Sequence, residues 1–198
     1  MRDPSDEIDI TRAELDNATR EFNAVYGETL AEWSRLEGQL FYWFRFITSM
    51  NEKLARAIFY SARNFTARAD MLSAAMRAGN LEATVLGFLK ETLKKIRMYD
   101  EFRNRATHGE AHINLQEGSP SAKQMVIIQG REVSEQAESG MVTMLDLMTA
   151  TNNFKRLRAY LFEGHPDQEP PLSLLETYQQ RVRELPNQAQ SIEPNRKS

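Results

Sequence analysis

The residues best equipped for chemistry lie in one short stretch, YDEFRNRATHGE, residues 99–110. From Lys90 to Arg105 six basic side chains, Lys90, Lys94, Lys95, Arg97, Arg103 and Arg105, face three acidic ones, so this segment is locally positive in a chain of net charge −3. Arginine presents a fixed fork of donors that matches a phosphate and cannot lose its charge, so it holds an anion but cannot serve as a base. Histidine, with an unperturbed pKa of ~6.5, can take or give a proton near neutrality. Asn104 and His108 stand four apart and share a helix face, whereas Arg103 and His108 are five apart, about 140° around a helix. One straight helix does not aim that pair at one atom. Any one of three arrangements would join them: the reach of the arginine stem, unwinding at Gly109, or a second copy across a twofold axis. A plainer reading stands beside the chemical one: a solvated basic face whose charge complements the helix dipole, with His108 bonded to a free carbonyl before a capping glycine.

The elements that must carry this stretch follow from apolar spacing. Phe22, Tyr26, Trp33, Leu36, Leu40, Phe44 and Ile47 recur at three and four between 11 and 50, predicting one long helix, or two joined near Gly27. Within it, QLFYWFRF places aromatics at 41, 42, 43, 44 and 46, nearly the whole circumference, which predicts burial on more than one side and suits a protein interface. Residues 52–78 repeat the helical pattern, with a break around Ser61 to Asn64, and Gly79-Asn80 stops it. A third helix runs from Leu81 into the basic stretch, capped by Gly109. HINL and MVII then read as a short hairpin, and GREVSEQAESG as a polar loop. Helical spacing returns from Thr143 to Leu161, where Thr143 and Asp146 resemble a capping box with Asp in the usual Glu position. After GHPDQEPP, SLLETYQQRVREL can make one more short helix. The expectation is an all-α, up-and-down bundle of four to five helices with a short β-hairpin inserted before the last core helix. It divides into a flexible N-terminus (1–11), the bundle (12–163) and a C-terminal extension with a short helix and a disordered tail (164–198).

Composition bounds the function. At 198 residues, 41% hydrophobic and 27% charged, the chain suits one domain with tails. Without cysteine it offers no disulfide, thiolate metal site or thiol nucleophile. A charged N-terminus and the lack of any run near ~20 apolar residues point to a cytoplasmic protein that does not engage a membrane.

Arg103-Asn104-Arg105-Ala106-Thr107-His108 resembles the R-polar-x3-H signature of the HEPN superfamily. The likeness extends to WSRLEGQL in the first long helix, RADML in the second and RNRATHG closing the third, followed by a hairpin and a final helix, and covers roughly residues 12–163. The resemblance implies a metal-independent endoribonuclease working as a symmetric dimer, with the site at the interface and RNA as substrate. It casts Arg103, Asn104 and His108 as catalytic: His108 takes the proton of an RNA 2′-OH, Arg103 holds the phosphate, and Asn104 orients the histidine or the phosphate, leaving a 2′,3′-cyclic phosphate. Arg105 and Lys95 are expected to bind substrate. A toxin or defence role, with an antitoxin or inhibitor protein as partner, is a further implication. Some toxins of this kind carry a modified tyrosine two residues after the histidine; Glu110 stands there instead, so that route of neutralisation is not implied. A second reading is a non-catalytic bundle that binds nucleic acid or protein through the same surface, and a third is a purely structural oligomer.

Other residues complete the inventory. His108 and His112, four apart around Glu110, have the spacing of helical zinc ligands, but Gly109 should end the helix between them and no further ligand is near, so no metal and no cofactor is expected. Glu37, beside the Trp33, Leu36 and Leu40 stripe, is expected to pair with a bundle arginine, Arg63 or Arg68, or to brace Arg103 or His108 in a supporting role. His165, next to Pro166, reads as a loop residue.

Overall fold

A computed structural model describes residues 12–115, 123–128 and 142–187; the expected flexible N-terminus, the polar loop and nearly all of the expected disordered tail lie outside them. Helix α1, Arg12–Thr48, is unbroken over 37 residues. Gly27 makes no join, and a Cβ there would meet nothing within 4 Å. The next stretch does break where the sequence indicates. Asn51 and Asn64 accept from the backbone N–H groups of Leu54 and Ala67, at 3.0 and 2.8 Å, and so start α2, Glu52–Phe59, and α3, Phe65–Ala78. Helix α4, Ala83–His108, ends where the Gly109 N–H donates to the Arg105 carbonyl at 3.1 Å.

Strands β1, Glu110–Leu115, and β2, Lys123–Ile128, pair antiparallel, and β3, Val142–Thr143, adds to the far edge of β2. The expected hairpin is thus part of a small three-stranded sheet. Thr143 and Asp146 form the reciprocal capping box that opens α5, Met144–Glu163. A 3₁₀ turn at Pro166–Gln168 leads into α6, Leu172–Glu184.

Cross-helix contacts fix an up-and-down order. Helix α2 runs back along α1, with Arg45 near Glu52 and Phe41 against Phe59. Helix α3 again follows α1, through Trp33 on Phe65 and Glu37 with Arg68. Helix α4 descends, with Arg103 beside Trp33 and Phe88 beside Trp43. Helix α5 climbs beside α1, from Lys155 on Glu28 to the Trp43 indole donating to the Leu161 carbonyl at 2.9 Å. Helix α6 runs alongside α4, from Tyr178 against Phe88 to Lys95 reaching Leu185.

Six α-helices are therefore present among the described residues, rather than four to five, because residues 52–78 split in two and α6 belongs to the body. Leu175, Tyr178 and Val182 of α6 join the same buried core as α1, α4 and α5. The helix expected in a C-terminal extension thus packs as core, and Tyr99 Oη donates to the Pro186 carbonyl at 2.8 Å. Gly164, where α5 turns toward α6, permits this approach: a Cβ there would lie 2.8 Å from the Tyr160 carbonyl and 2.9 Å from Leu175 Cδ2.

The ring of aromatics on α1 is consumed largely inside the chain. Phe41 and Phe44 pack on Phe59 of α2, and Trp43 on Phe88 of α4, all three fully buried. Only Tyr42 and Phe46 stay open, at 46% and 37% exposure, so the circumference of aromatics does not require a partner chain. His165 does lie in the loop between α5 and the 3₁₀ turn. It is buried, edge-on to Trp43 and Phe46 at 5.0 and 5.4 Å, and its Nδ1 accepts from the Asp167 N–H, closing the 3₁₀ turn. No helix among the described residues is long and apolar enough to cross a membrane.

Candidate functional site

The last three turns of α4 carry the basic stretch. Tyr99, Phe102 and Ala106, spaced three and four, are buried in the core and so set the rotation of the helix. That rotation sends Arg103 toward α1 and puts Arg105, two residues or about 200° further round, on the opposite flank.

Arg103 is held by its own chain through its terminal nitrogens and ring face, although its Nε is buried without an acceptor. Its Nη2 donates to Asp100 Oδ1 at 2.5 Å, and its guanidinium carbon sits 5.2 Å from the centre of the Trp33 ring. The same carboxylate accepts from Asn104 Nδ2 through Oδ2 at 3.3 Å, so Asp100 fastens both residues. Asp100 is not among the candidate residues of the sequence, although its spacing of three before Arg103 and four before Asn104 is the signal for this clasp. Thr107, also missed, donates to the carbonyls of Arg103 and Asn104 at 3.0 and 3.1 Å and seals the helix end.

Glu37 faces the same place from α1. Of the two arginines expected as partners it takes Arg68, at 3.2 Å, with both side chains mostly buried. Burial pushes its carboxyl above the usual carboxylate range, against the pull of Arg68, Arg103 and the Trp33 indole, while Asp100 adds to the rise. Glu37, Arg68, Asp100 and Arg103 thus form a charge-balanced quartet linking α1, α3 and α4, and Glu37 braces Arg103 through the field rather than by direct contact.

His108 lies at the other extreme. It is exposed in the last turn of α4 and makes no hydrogen bond to any described residue, so its ring is available to a ligand. Arg105, half-buried, likewise has no ion pair or hydrogen bond among the described residues, and its Nε is buried without an acceptor. Within one chain, then, Arg103 and His108 do not converge: the first is folded into the bundle and the second points away from it. Asn104 and Arg105 are the neighbours of His108 in helical spacing, at four and three residues.

Lys95 does not join this group. It sits two turns earlier on α4, buried, and donates to the Leu185 carbonyl at 2.7 Å and Asn187 Oδ1 at 2.8 Å, tying down the end of α6. Burial, with Lys94 beside it, holds its ammonium below the usual lysine range. The substrate-binding role expected for Lys95 is replaced by a tether, because an ammonium with two protein acceptors has little left for a phosphate. His108 and His112 do not share a helix face either, since Gly109 ends α4 and His112 pairs with Val126 in the sheet. Among the described residues no three His, Asp or Glu side chains gather as metal ligands.

Chemically, the helix end offers one open imidazole, one open guanidinium, and an amide clamped by a carboxylate. No family model, curated protein or solved structure matches this chain.

Proposed function

We propose that the protein is a HEPN-like, metal-independent endoribonuclease that acts as a twofold dimer. His108 removes the 2′-OH proton, the 2′ oxygen bonds to the adjacent phosphorus, and the bond to the 5′ oxygen breaks. That proton passes through water to the departing 5′ oxygen, leaving a 2′,3′-cyclic phosphate and a 5′-OH. A guanidinium from α4 holds the non-bridging oxygens, and Asn104 orients the imidazole or the phosphate. DNA, lacking the 2′-OH, is not cut.

The observation that carries this reading is an exposed, unbonded His108 one turn beyond an Asn104 that Asp100 holds in place. A general base must be open to its substrate, and its helper must be fixed before the substrate arrives. Support for the dimer comes from the flank of α4 bearing Met98, Glu101 and His108, all exposed and three, four and three apart through Arg105, a helix stripe that a second copy of α4 can face. A toxic or defence role restrained by an antitoxin or inhibitor protein, and a cytoplasmic setting, belong to the same proposal.

One observation favours a second reading. Arg103 is neutralised by Asp100, so the arginine of the signature is not free to grip phosphate. A non-catalytic bundle that binds nucleic acid or protein through this helix end would fit that. Labelled RNA incubated in EDTA separates the two: cleavage lost in His108→Ala supports the ribonuclease, and binding without cleavage supports the second reading.

A further inference from the structure

We infer that Arg105, not Arg103, is the guanidinium that grips the phosphodiester beside His108; the inference rests on the ribonuclease reading above. The two arginines differ in what they have already spent. Arg103 is bonded to Asp100, lies against the Trp33 ring and is 21% exposed, and swinging it out would strip Asp100 and Glu37 of a cation in a mostly buried setting. Arg105 has no ion pair and no hydrogen bond among the described residues. Its Nε is buried, so the stem is anchored in the protein while the donors at the tip remain unused. An anchored stem with an unpaired fork is the arrangement that a phosphate completes.

Helix geometry points the same way. Arg105 precedes His108 by three residues, about 60° around and about 4.5 Å along the axis, where Arg103 stands about 140° away. Asn104, held by Asp100, stands about 40° to the other side of His108, so the imidazole lies between the two. Arg105, Asn104 and His108 therefore present one contiguous donor and base surface from a single chain, with no unwinding at Gly109, whose cap to Arg105 is intact. Arg103 then serves as a strut that fixes α4 against α1. The signature arginine and the working arginine are two residues apart, and only the three-dimensional environment tells them apart.

The test uses the full-length chain with two fluorescent oligoribonucleotides of one sequence. The first, 2′-O-methylated, cannot be cut and reports binding across a salt series; the second, all-ribo, reports cleavage in EDTA. Arg105→Ala is expected to weaken binding about tenfold, to flatten the salt slope by about one, and to cut cleavage roughly 100-fold, with an unchanged urea midpoint. Arg105→Lys should regain binding more than cleavage, because a point charge lacks the fork. Arg103→Lys should lower the urea midpoint while binding stays within about threefold of wild type. The inference is overturned if Arg105→Ala binds and cuts as wild type does, in which case the ribonuclease reading survives alone. Loss of binding in Arg103→Lys at an unchanged midpoint would also overturn it. A wild-type chain that neither binds nor cuts either RNA ends both.

Discussion

Replacing Asp100 by alanine probes the clasp at the end of α4 directly. The carboxylate is 11% exposed and its partner Arg103 21%, so the pair sits between a surface bridge, worth about 0–1 kcal/mol, and a buried one, whose disruption costs about 3–5 kcal/mol. Glu37 remains as a second carboxylate near the orphaned guanidinium and softens the loss. Arg103 Nε already lacks an acceptor, so the variant leaves a cation with its donors largely unused in a half-buried place. These considerations place the cost at about 2–3 kcal/mol, or roughly 5–10 °C in unfolding midpoint for a chain of this size. Urea and thermal denaturation followed by circular dichroism measure it. The companion variant Arg103→Met removes the orphan, and in its presence Asp100→Ala should cost less by about 1–2 kcal/mol. A cost for Asp100→Ala under about 0.5 kcal/mol, or an equal cost with and without Arg103, would refute the reasoning that Arg103 is bound into the fold.

Two further outcomes follow from the packing. Gly164→Ala should destabilise by about 1–3 kcal/mol in urea unfolding, because the new methyl meets the Tyr160 carbonyl at 2.8 Å and Leu175 at 2.9 Å, and a neutral result would mean that α6 docks more loosely than described. His165 gives a pH signature. Burial holds its imidazole below the ordinary 6.5, against Asp167 and the Tyr42 carbonyl, so the unfolded chain binds the extra proton first. Its contribution is complete above 6.5 and is lost as pH falls from there toward the folded value, by at most about 1.4 kcal/mol per pH unit. Urea midpoints at pH 7.5 and 5.5 should therefore differ more in wild type than in His165→Phe, and equal differences would contradict the account.

Much of this was legible in the chain where the determining interaction is local. The Asn64 cap, the Gly109 stop and the Thr143–Asp146 box each act across four residues or fewer, and each marks a boundary that the structure keeps. The direction of Arg103 was half legible: the spacing of Tyr99, Phe102 and Ala106 gives the buried face of α4, and Asp100 stands where a clasp requires it. What lay across that face was not written locally. That Trp33 and Glu37 flank Arg103 depends on how α1 and α4 cross, and that Lys95 serves α6 depends on a helix nearly ninety residues away. The burial of His165 was hidden for a related reason. A histidine before proline in a polar turn reads as a loop residue, and the rings of Trp43 and Phe46 on α1, more than a hundred residues earlier, are what bury it. The aromatic run on α1 suggested an outside partner because a short α2, folded back over Phe41 and Phe44, is hard to foresee from periodicity alone.

In the proposed reaction the imidazole at the end of α4 cleaves RNA without a metal. Its most direct measurement is the product of a 5′-labelled oligoribonucleotide treated with the pure chain in EDTA, beside a DNA control and His108→Ala of matched unfolding midpoint. The account predicts fragments ending in 2′,3′-cyclic phosphate from wild type alone, with DNA intact. Intact RNA in every lane, or cleavage that persists undiminished without His108, would contradict it.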